Sequence, residues 1–267
     1  MRRGSVGVGA LFLVVALALG ACGGGDRSGA GSARSDVGLI KDGEIITCTH
    51  LPYQPFQFER GGKIVGFDVD MIDLVAKKLG VKQSIVDTPF EGIQSGEDLN
   101  ARKCDIAAAA MTITPERQHK IAFSAPYFDA NQALLVKKGS AITSLGDLKG
   151  KTVGVLSGTT GKLYAEKHAP ETVQLKDYED LALQLSSVKN GQIPAAVNDI
   201  PVLLDYVKKN PQLEVGAQFK TGERYGFGMK KGTSRKLEQT VNDVIAQARA
   251  DGTYDRLYTK WFDAKPQ

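Results

Sequence analysis

The sequence predicts an α/β fold, on three observations. From Glu44 onward, short apolar runs such as Glu44 to Thr49, Ile106 to Ala110 and Ala195 to Val197 alternate with stretches whose apolar residues recur at helical spacing. The helical stretches carry their own start and stop residues, such as Asp68 before one and Gly80 after it. Hydrophobic residues make up 42% of the 267 positions and charged residues 24%, an ordinary globular balance with ample material for a core.

The first residues do not belong to that pattern. Arg2 and Arg3 form a basic start, and Ala10 to Leu19 is an apolar run too short to span a bilayer comfortably, so the segment reads as a cleaved leader. Leu19-Gly20-Ala21-Cys22 matches a lipobox. Its similarity to bacterial lipoprotein signals implies a signal peptide at 1–21 and a lipid such as palmitate on the Cys22 thiol. Several acyl chains there would hold the protein stably on the extracellular face of the cell membrane. Residues 22–40 are rich in Gly, Ser and Ala and read as a flexible tether.

The elements then follow in order. Glu44 to Thr49 is a first strand, and Arg60-Gly61-Gly62-Lys63 a hairpin turn. In the helix after it, Val69, Ile72, Val75, Ala76 and Leu79 share one face, with Asp68 as N-cap, Asp70 in the first turn and Gly80 as stop. A strand near Gln83 to Val86, a helix near Gln94 to Arg102 and a strand Asp105 to Ala109 complete a βαβ-type half.

Beyond Phe128 come a strand Ala133 to Val136, a short helix Ser144 to Lys149, a strand Lys151 to Val155 and a helix through His168. A strand Val173 to Leu175, a helix Tyr178 to Lys189, a strand Ala195 to Val197 and a helix Asp199 to Lys208 follow. The chain ends with a strand Tyr225 to Met229, a long helix Ser234 to Ala250 and a last helix Tyr254 to Phe262, for which Trp261 is a packing anchor.

Two cysteines remain in the folded part. Cys48 and Cys104 lie within or just before strand-like runs that would be neighbours in a parallel sheet, and the extracellular compartment permits disulfides. A Cys48–Cys104 disulfide is expected; two buried free thiols are the alternative.

The stretch Met111 to Phe128, MTITPERQHKIAFSAPYF, organises the rest. Thr114 suits an N-cap, Pro115 the first helical position, and Arg117 then falls in the first turn. A cation there opposes the helix dipole, and an anion bound at the turn removes the conflict. Arg117 is therefore expected to grip a carboxylate; a solvated Arg, or one paired to a nearby Asp or Glu, is the alternative.

T-I-T-P-E-R followed by F-S-A-P-Y-F resembles the signature of the extracellular solute-binding proteins of family 3, the amino-acid receptors of ABC importers. G-F-D-V-D is a further mark, and the likeness runs from about Glu44 to Asp263. It implies a two-lobed, periplasmic-binding-protein-like (type II) fold, with lobe 1 at 41–130 plus 225–267 and lobe 2 at 131–224. The chain would cross between lobes near Ala130 to Gln132 and Glu223 to Tyr225.

The resemblance also implies that Arg117 binds the α-carboxylate of an amino acid, that Thr114 helps hold the ligand, and that Asp199, in A-A-V-N-D-I-P, takes the α-ammonium. Tyr53 and Phe90 match positions where family members stack aromatics over the ligand. His50 stands where receptors for basic amino acids, and several for glutamine, carry an Asp, and the absence of that Asp argues against a Lys or Arg ligand. Thr112 and the turn Thr159-Thr160 line two strand-to-helix junctions, and Asn198 the third, adding neutral polar groups. A glutamine-like ligand is expected; glutamate fits if His50 is protonated. The partners implied are a small-molecule amino acid, an ABC permease and, through the lipid, the membrane, for a monomer without cofactor.

Other classes fit less well. A net charge of +4 that includes the basic leader, with sparse aromatics, calls for no nucleic acid. Gly161-Lys162 suggests a P-loop, but Leu156 and Leu163 occupy the places of its first glycine and its Ser/Thr. His119 and His168 read as surface residues with no metal-ligand spacing. Two alternatives use the same fold: an extracellular dehydratase, with His50 as the candidate acid or base, and a ligand-sensing partner of a signalling protein.

Overall fold

The structure, a computed structural model, describes residues 37–232 and 235–266. The leader at 1–21, Cys22 and the tether as far as residue 36 lie outside the described residues. The tether expected through residue 40 gives way to the folded body earlier: Val37 is buried, and the Ile40 N–H donates to Asp105 Oδ1 over 2.8 Å.

The folded body opens with β1 (Glu44–Thr49), the hairpin β2 (Phe58–Arg60) and β3 (Lys63–Val65), the helix α1 (Phe67–Leu79) and β4 (Lys82–Asp87). Arg60 pairs with Lys63 across the expected turn. Helix α1 departs from expectation at its start. Gly66, at φ 144, holds the cap position, where any Cβ would collide with the Phe56 carbonyl. Asp68 is therefore not the N-cap. It is the second residue of the helix, fully buried, and accepts hydrogen bonds from the Tyr127 hydroxyl (2.7 Å) and the Ala110 N–H (2.8 Å). Asp70 accepts from Lys260 Nζ (2.6 Å) and Trp261 Nε1 (2.7 Å), which ties α1 to the last helix and makes Trp261 the anchor expected of it.

The helix expected near 94–102 is instead two short ones, α2 (Phe90–Gln94) and α3 (Glu97–Asn100), split where Gly96 adopts φ 80. After them β5 (Ile106–Ala107) pairs in parallel with β1 in a register that sets Cys48 opposite Ala107. Cys48 and Cys104 are joined in a disulfide with Cα atoms 5.6 Å apart. It closes a loop of 56 residues, a length at which cross-linking the unfolded chain stabilises by roughly 4 kcal/mol. Helix α4 (Pro115–Lys120) begins as expected, with Thr114 as cap, and leads into β6 (Ala122–Phe123).

A second sheet follows: β7 (Phe128–Lys137), β8 (Thr152–Leu156), α5 (Thr160–His168), β9 (Gln174–Tyr178), α6 (Leu181–Lys189), β10 (Ala195–Asp199), α7 (Ile200–Lys209) and β11 (Leu213–Tyr225). The short helix expected at 144–149 is a 3₁₀ helix, Leu145–Leu148. Strand β11 is the largest departure, because a strand was expected only from Tyr225. Its alternating Glu, Gln, Lys and Gly residues weaken the apolar signal, as suits an edge strand. The chain ends with β12 (Gly228–Met229), α8 (Arg235–Ala250) and α9 (Thr253–Phe262).

The two five-stranded sheets have orders β4-β1-β5-β12-β6 and β11-β7-β10-β8-β9, and β2 and β3 form a third, two-stranded sheet. Strands β7 and β11 pair antiparallel along nearly their whole length, with a break in register between Phe219 and Glu223, and Glu223 faces Ala130. Both expected crossings thus fall where β7 and β11 pair, around that break in register. Beneath it Phe56 packs against Phe128 (4.9 Å) and Tyr225 (5.2 Å) edge to face, and Tyr127 stacks on Phe227 at 4.0 Å. These rings bury large apolar areas at fixed geometry and so make a stiff floor for what lies above.

Candidate functional site

In open α/β sheets, side chains converge beyond the carboxyl ends of the strands. Here His50 follows β1, Ala109 and Ala110 follow β5, Leu156 ends β8 and Asp199 ends β10. All line one cavity, together with Tyr53, Gln57, Phe90, Thr112, Arg117, Thr159 and Thr160.

Arg117 reaches this cavity because α4 starts there. The Thr114 hydroxyl accepts the Arg117 backbone N–H at 3.2 Å, and the buried guanidinium then bridges two backbones. Its Nη1 donates to the Thr112 carbonyl (2.8 Å) and its Nη2 to the Gly158 carbonyl (2.9 Å), while the Phe90 ring lies 5.4 Å from the guanidinium carbon. Two of five N–H donors are engaged this way, so an anion in the cavity can take others. Burial lowers the pKa of Arg117 from its usual value, and the charges of Asp199 and Glu223 work the other way. No ion pair involves it among the described residues, and it lines the cavity.

Asp199 occupies the cap position of α7 yet makes no capping bond. Its carboxylate turns inward and accepts from the Tyr53 hydroxyl (2.6 Å), the Tyr225 hydroxyl and the Gln132 amide. Burial, and then the Glu223 charge, push its pKa up to about 6 against the pull of these three donors. Burial and the Asp199 charge raise Tyr53 and Tyr225 well above the usual phenol value, so both remain O–H donors.

Glu223 sits where the β7–β11 ladder breaks register. Its Oε2 accepts from the Thr160 hydroxyl (2.7 Å), the Gln132 amide (3.0 Å) and the Thr112 hydroxyl (3.2 Å). Thr112 belongs to the first sheet's end and Thr160 starts α5 on the second, so one carboxylate gathers both. Thr159 caps α5, accepting the Lys162 N–H at 3.2 Å and donating to the Leu156 carbonyl at 2.7 Å.

Eight of the residues expected at the site, His50, Tyr53, Phe90, Thr112, Arg117, Thr159, Thr160 and Asp199, line the one cavity. Thr114 and Asn198 do not. Thr114 holds the start of α4, and Asn198 accepts from Tyr53 (2.8 Å) while its amide donates to Gln184 (2.8 Å). His50 has both ring nitrogens against backbone carbonyls, Nδ1 3.0 Å from Thr88 and Nε2 3.4 Å from Glu179. Phe90 stacks on Arg117. His119 and His168 are exposed, and among the described residues no group of His, Cys, Asp and Glu is placed to hold a metal.

The sequence reading missed Gln57, Gln132, Glu223 and Tyr225. Gln132 and the pair Glu223 and Tyr225 fall in the expected crossings, which was the available signal. Gln57 carried none beyond its closeness to Tyr53.

The model of the bacterial extracellular solute-binding proteins, family 3, matches residues 45–264. The chain belongs to that family. It shares 33% identity over 270 residues with the ABC transporter glutamine-binding protein GlnH of Bacillus subtilis (strain 168), covering 96% of this chain and 95% of the relative. With ABC transporter arginine-binding protein 1 of Escherichia coli (strain K12) it shares 32% over 217 residues, 79% of this chain and 87% of that one. Among solved structures, an ancestral arginine-binding protein bound to glutamine superposes with a TM-score of 0.78 at 39% identity, covering 84% of this chain and all of the other. The fold is the two-lobed type II fold of these periplasmic binding proteins. The chain's named relatives are binding proteins. Among the described residues no helix is long and apolar enough to cross a membrane.

Proposed function

We propose that this solute-binding protein captures a polar α-amino acid, glutamine-like, between lobe 1 (41–130 with 225–267) and lobe 2 (131–224) and delivers it to an ABC permease. The observation that carries this reading is that Arg117, from the first lobe, and Asp199, from the second, line the same cavity. An α-amino acid bears one charge of each sign on a single carbon. A guanidinium and a carboxylate on opposite walls select it by bracketing both.

Each charge-assisted hydrogen bond contributes roughly 1.5–3 kcal/mol net. Several together support affinity on the micromolar scale, about 8 kcal/mol. Because the charges come from separate lobes, the ligand binds the closed form better and drives a hinge motion about β7 and β11. The relatives named above, which bind glutamine or arginine, support the class of ligand.

The lipobox at 19–22 supports a lipid anchor at Cys22, which would hold the receptor beside its permease on the outer face of the membrane. Isothermal titration calorimetry of the purified protein against the twenty common L-amino acids tests the reading. One or a few polar amino acids should bind near the micromolar range; a panel with no binder contradicts it.

A further inference from the structure

We propose that Glu223 is a clasp: one of its carboxylate oxygens gathers hydroxyls from the ends of both five-stranded sheets and holds the lobes together before any ligand arrives. Glu223 thereby sets how much of the empty protein is closed. This is a positioning role without ligand contact, and it rests on the two-lobe, amino-acid reading above.

The chain is shaped to deliver this side chain. Along the β7–β11 ladder Phe219 faces Gln132 and Glu223 faces Ala130, so Lys220, Thr221 and Gly222 stand opposite the single residue Asn131. A bulge of this kind bends its strand and re-aims the side chain that follows. The backbone groups it frees are taken up by Asn131, whose Oδ1 accepts the Thr221 and Gly222 N–H groups, both at 2.9 Å. Gly222 makes the return at φ 67, a left-handed backbone that glycine adopts without strain.

Glu223 Oε2 then meets three donors from three elements. Thr112, in the segment from β5 to α4, donates at 3.2 Å, Thr160, the first residue of α5, at 2.7 Å, and the Gln132 amide, on β7, at 3.0 Å. The Thr112 and Thr160 hydroxyls are themselves 3.2 Å apart. Any motion that parts the two sheets must break the bond to Thr112 or the bond to Thr160. Thr112 is already tied to β11 next door, where the Ile113 N–H donates to the Arg224 carbonyl at 2.8 Å. The Thr160 bond is therefore the one that opening breaks.

Glu223 does this from behind the ligand's wall. It does not line the cavity shared by Arg117 and Asp199; it lines a groove on the other side of Thr112 and Thr160, which face both. Lys167, His168 and Lys220 border that groove, yet among the described residues no ion pair includes Glu223. Its charge is felt instead at Asp199, with which it shares the Gln132 amide nitrogen, and there it raises the pKa. A like charge so placed works against an ionised Asp199. The three donors on Oε2 offset that repulsion, and the closed arrangement is what they stabilise.

Small-angle scattering of the ligand-free protein, with calorimetry against L-glutamine and L-arginine between pH 4.5 and 8, tests this on the wild type, Glu223→Ala, Glu223→Gln and Thr160→Val. Without ligand, Glu223→Ala and Thr160→Val should have a larger radius of gyration than the wild type. Glu223→Gln, whose amide oxygen still accepts the hydroxyls, should stay closer to the wild type. Glu223→Ala should bind the tighter probe about tenfold more weakly, because less of it is in the closed, binding-competent form. The pH profile separates charge from clasp. Its midpoint should move down in both Glu223 variants, which remove the like charge beside Asp199, and stay in place in Thr160→Val, which keeps it. The Thr160→Val arm stands even if Glu223→Ala does not fold. Ligand-free variants that scatter as the wild type does overturn the clasp, and so does a midpoint that moves as far in Thr160→Val as in Glu223→Gln. If neither probe nor any other common amino acid binds the wild type, the amino-acid reading fails, while ligand-free scattering still decides the clasp. If amino acids bind and the scattering is indifferent to positions 160 and 223, only the clasp fails.

Discussion

The Tyr53 hydroxyl donates to Asp199 Oδ2 over 2.6 Å, joining the loop after β1 of one five-stranded sheet to the last residue of β10 in the other. This bond is made to the very carboxylate proposed to take the ligand's ammonium. It helps keep Asp199 ionised.

Tyr53→Phe removes that donor and keeps the ring. A hydrogen bond to a charged group contributes roughly 1.5–3 kcal/mol, so ligand affinity should fall about 10- to 100-fold. Calorimetry gives the affinity. Small-angle scattering with saturating ligand should still show closure, because the Arg117 and Asp199 contacts remain.

Affinity should also depend on pH through Asp199. Its pKa is pushed up to about 6 by burial and by Glu223, and only the ionised carboxylate pairs with an ammonium. Binding should therefore be pH-independent above about 7 and weaken by roughly tenfold per unit below about pH 6. In Tyr53→Phe the midpoint should move up, since a donor that lowers this pKa is gone. Titrations between pH 4.5 and 8 in otherwise constant buffer give the profile, and a flat one would remove Asp199 from the site.

Stability carries a second signature. Burial pushes Asp68 up to about 7, against the Ala110 and Tyr127 hydrogen bonds, while in the unfolded chain it titrates near about 4. Between those values the folded state holds more protons than the unfolded one. Stability contributed by Asp68 therefore falls as pH rises from about 4 through about 7. Asp68→Asn keeps an acceptor for the Ala110 N–H and carries no charge. Its melting temperature should fall less between pH 5 and pH 8 than that of the wild type, by several degrees in scanning calorimetry.

Local signals account for what the sequence showed. Thr114-Pro115 marked the start of α4 and so placed Arg117, and the apolar run into Asn198-Asp199 marked a strand end in the crevice. Signals failed where tertiary structure decides. Asp68 has the residue type of a cap, but Gly66 takes that place and frees the carboxylate to turn inward. The helix near 94–102 breaks at Gly96, whose left-handed conformation carries no periodic signature. Gln132, Glu223 and Tyr225 meet Asp199 only because β7 and β11 pair across 91 positions of chain.

The central claim is that Arg117 and Asp199 hold the two charges of one α-amino acid, and titrating Arg117→Ala and Asp199→Asn with the amino acid that binds the wild type tests it most directly. Each variant should lose at least about 100-fold in affinity, the equivalent of about 3 kcal/mol, while melting within a few degrees of the wild type. Either variant binding that amino acid within about threefold of the wild type would contradict the account.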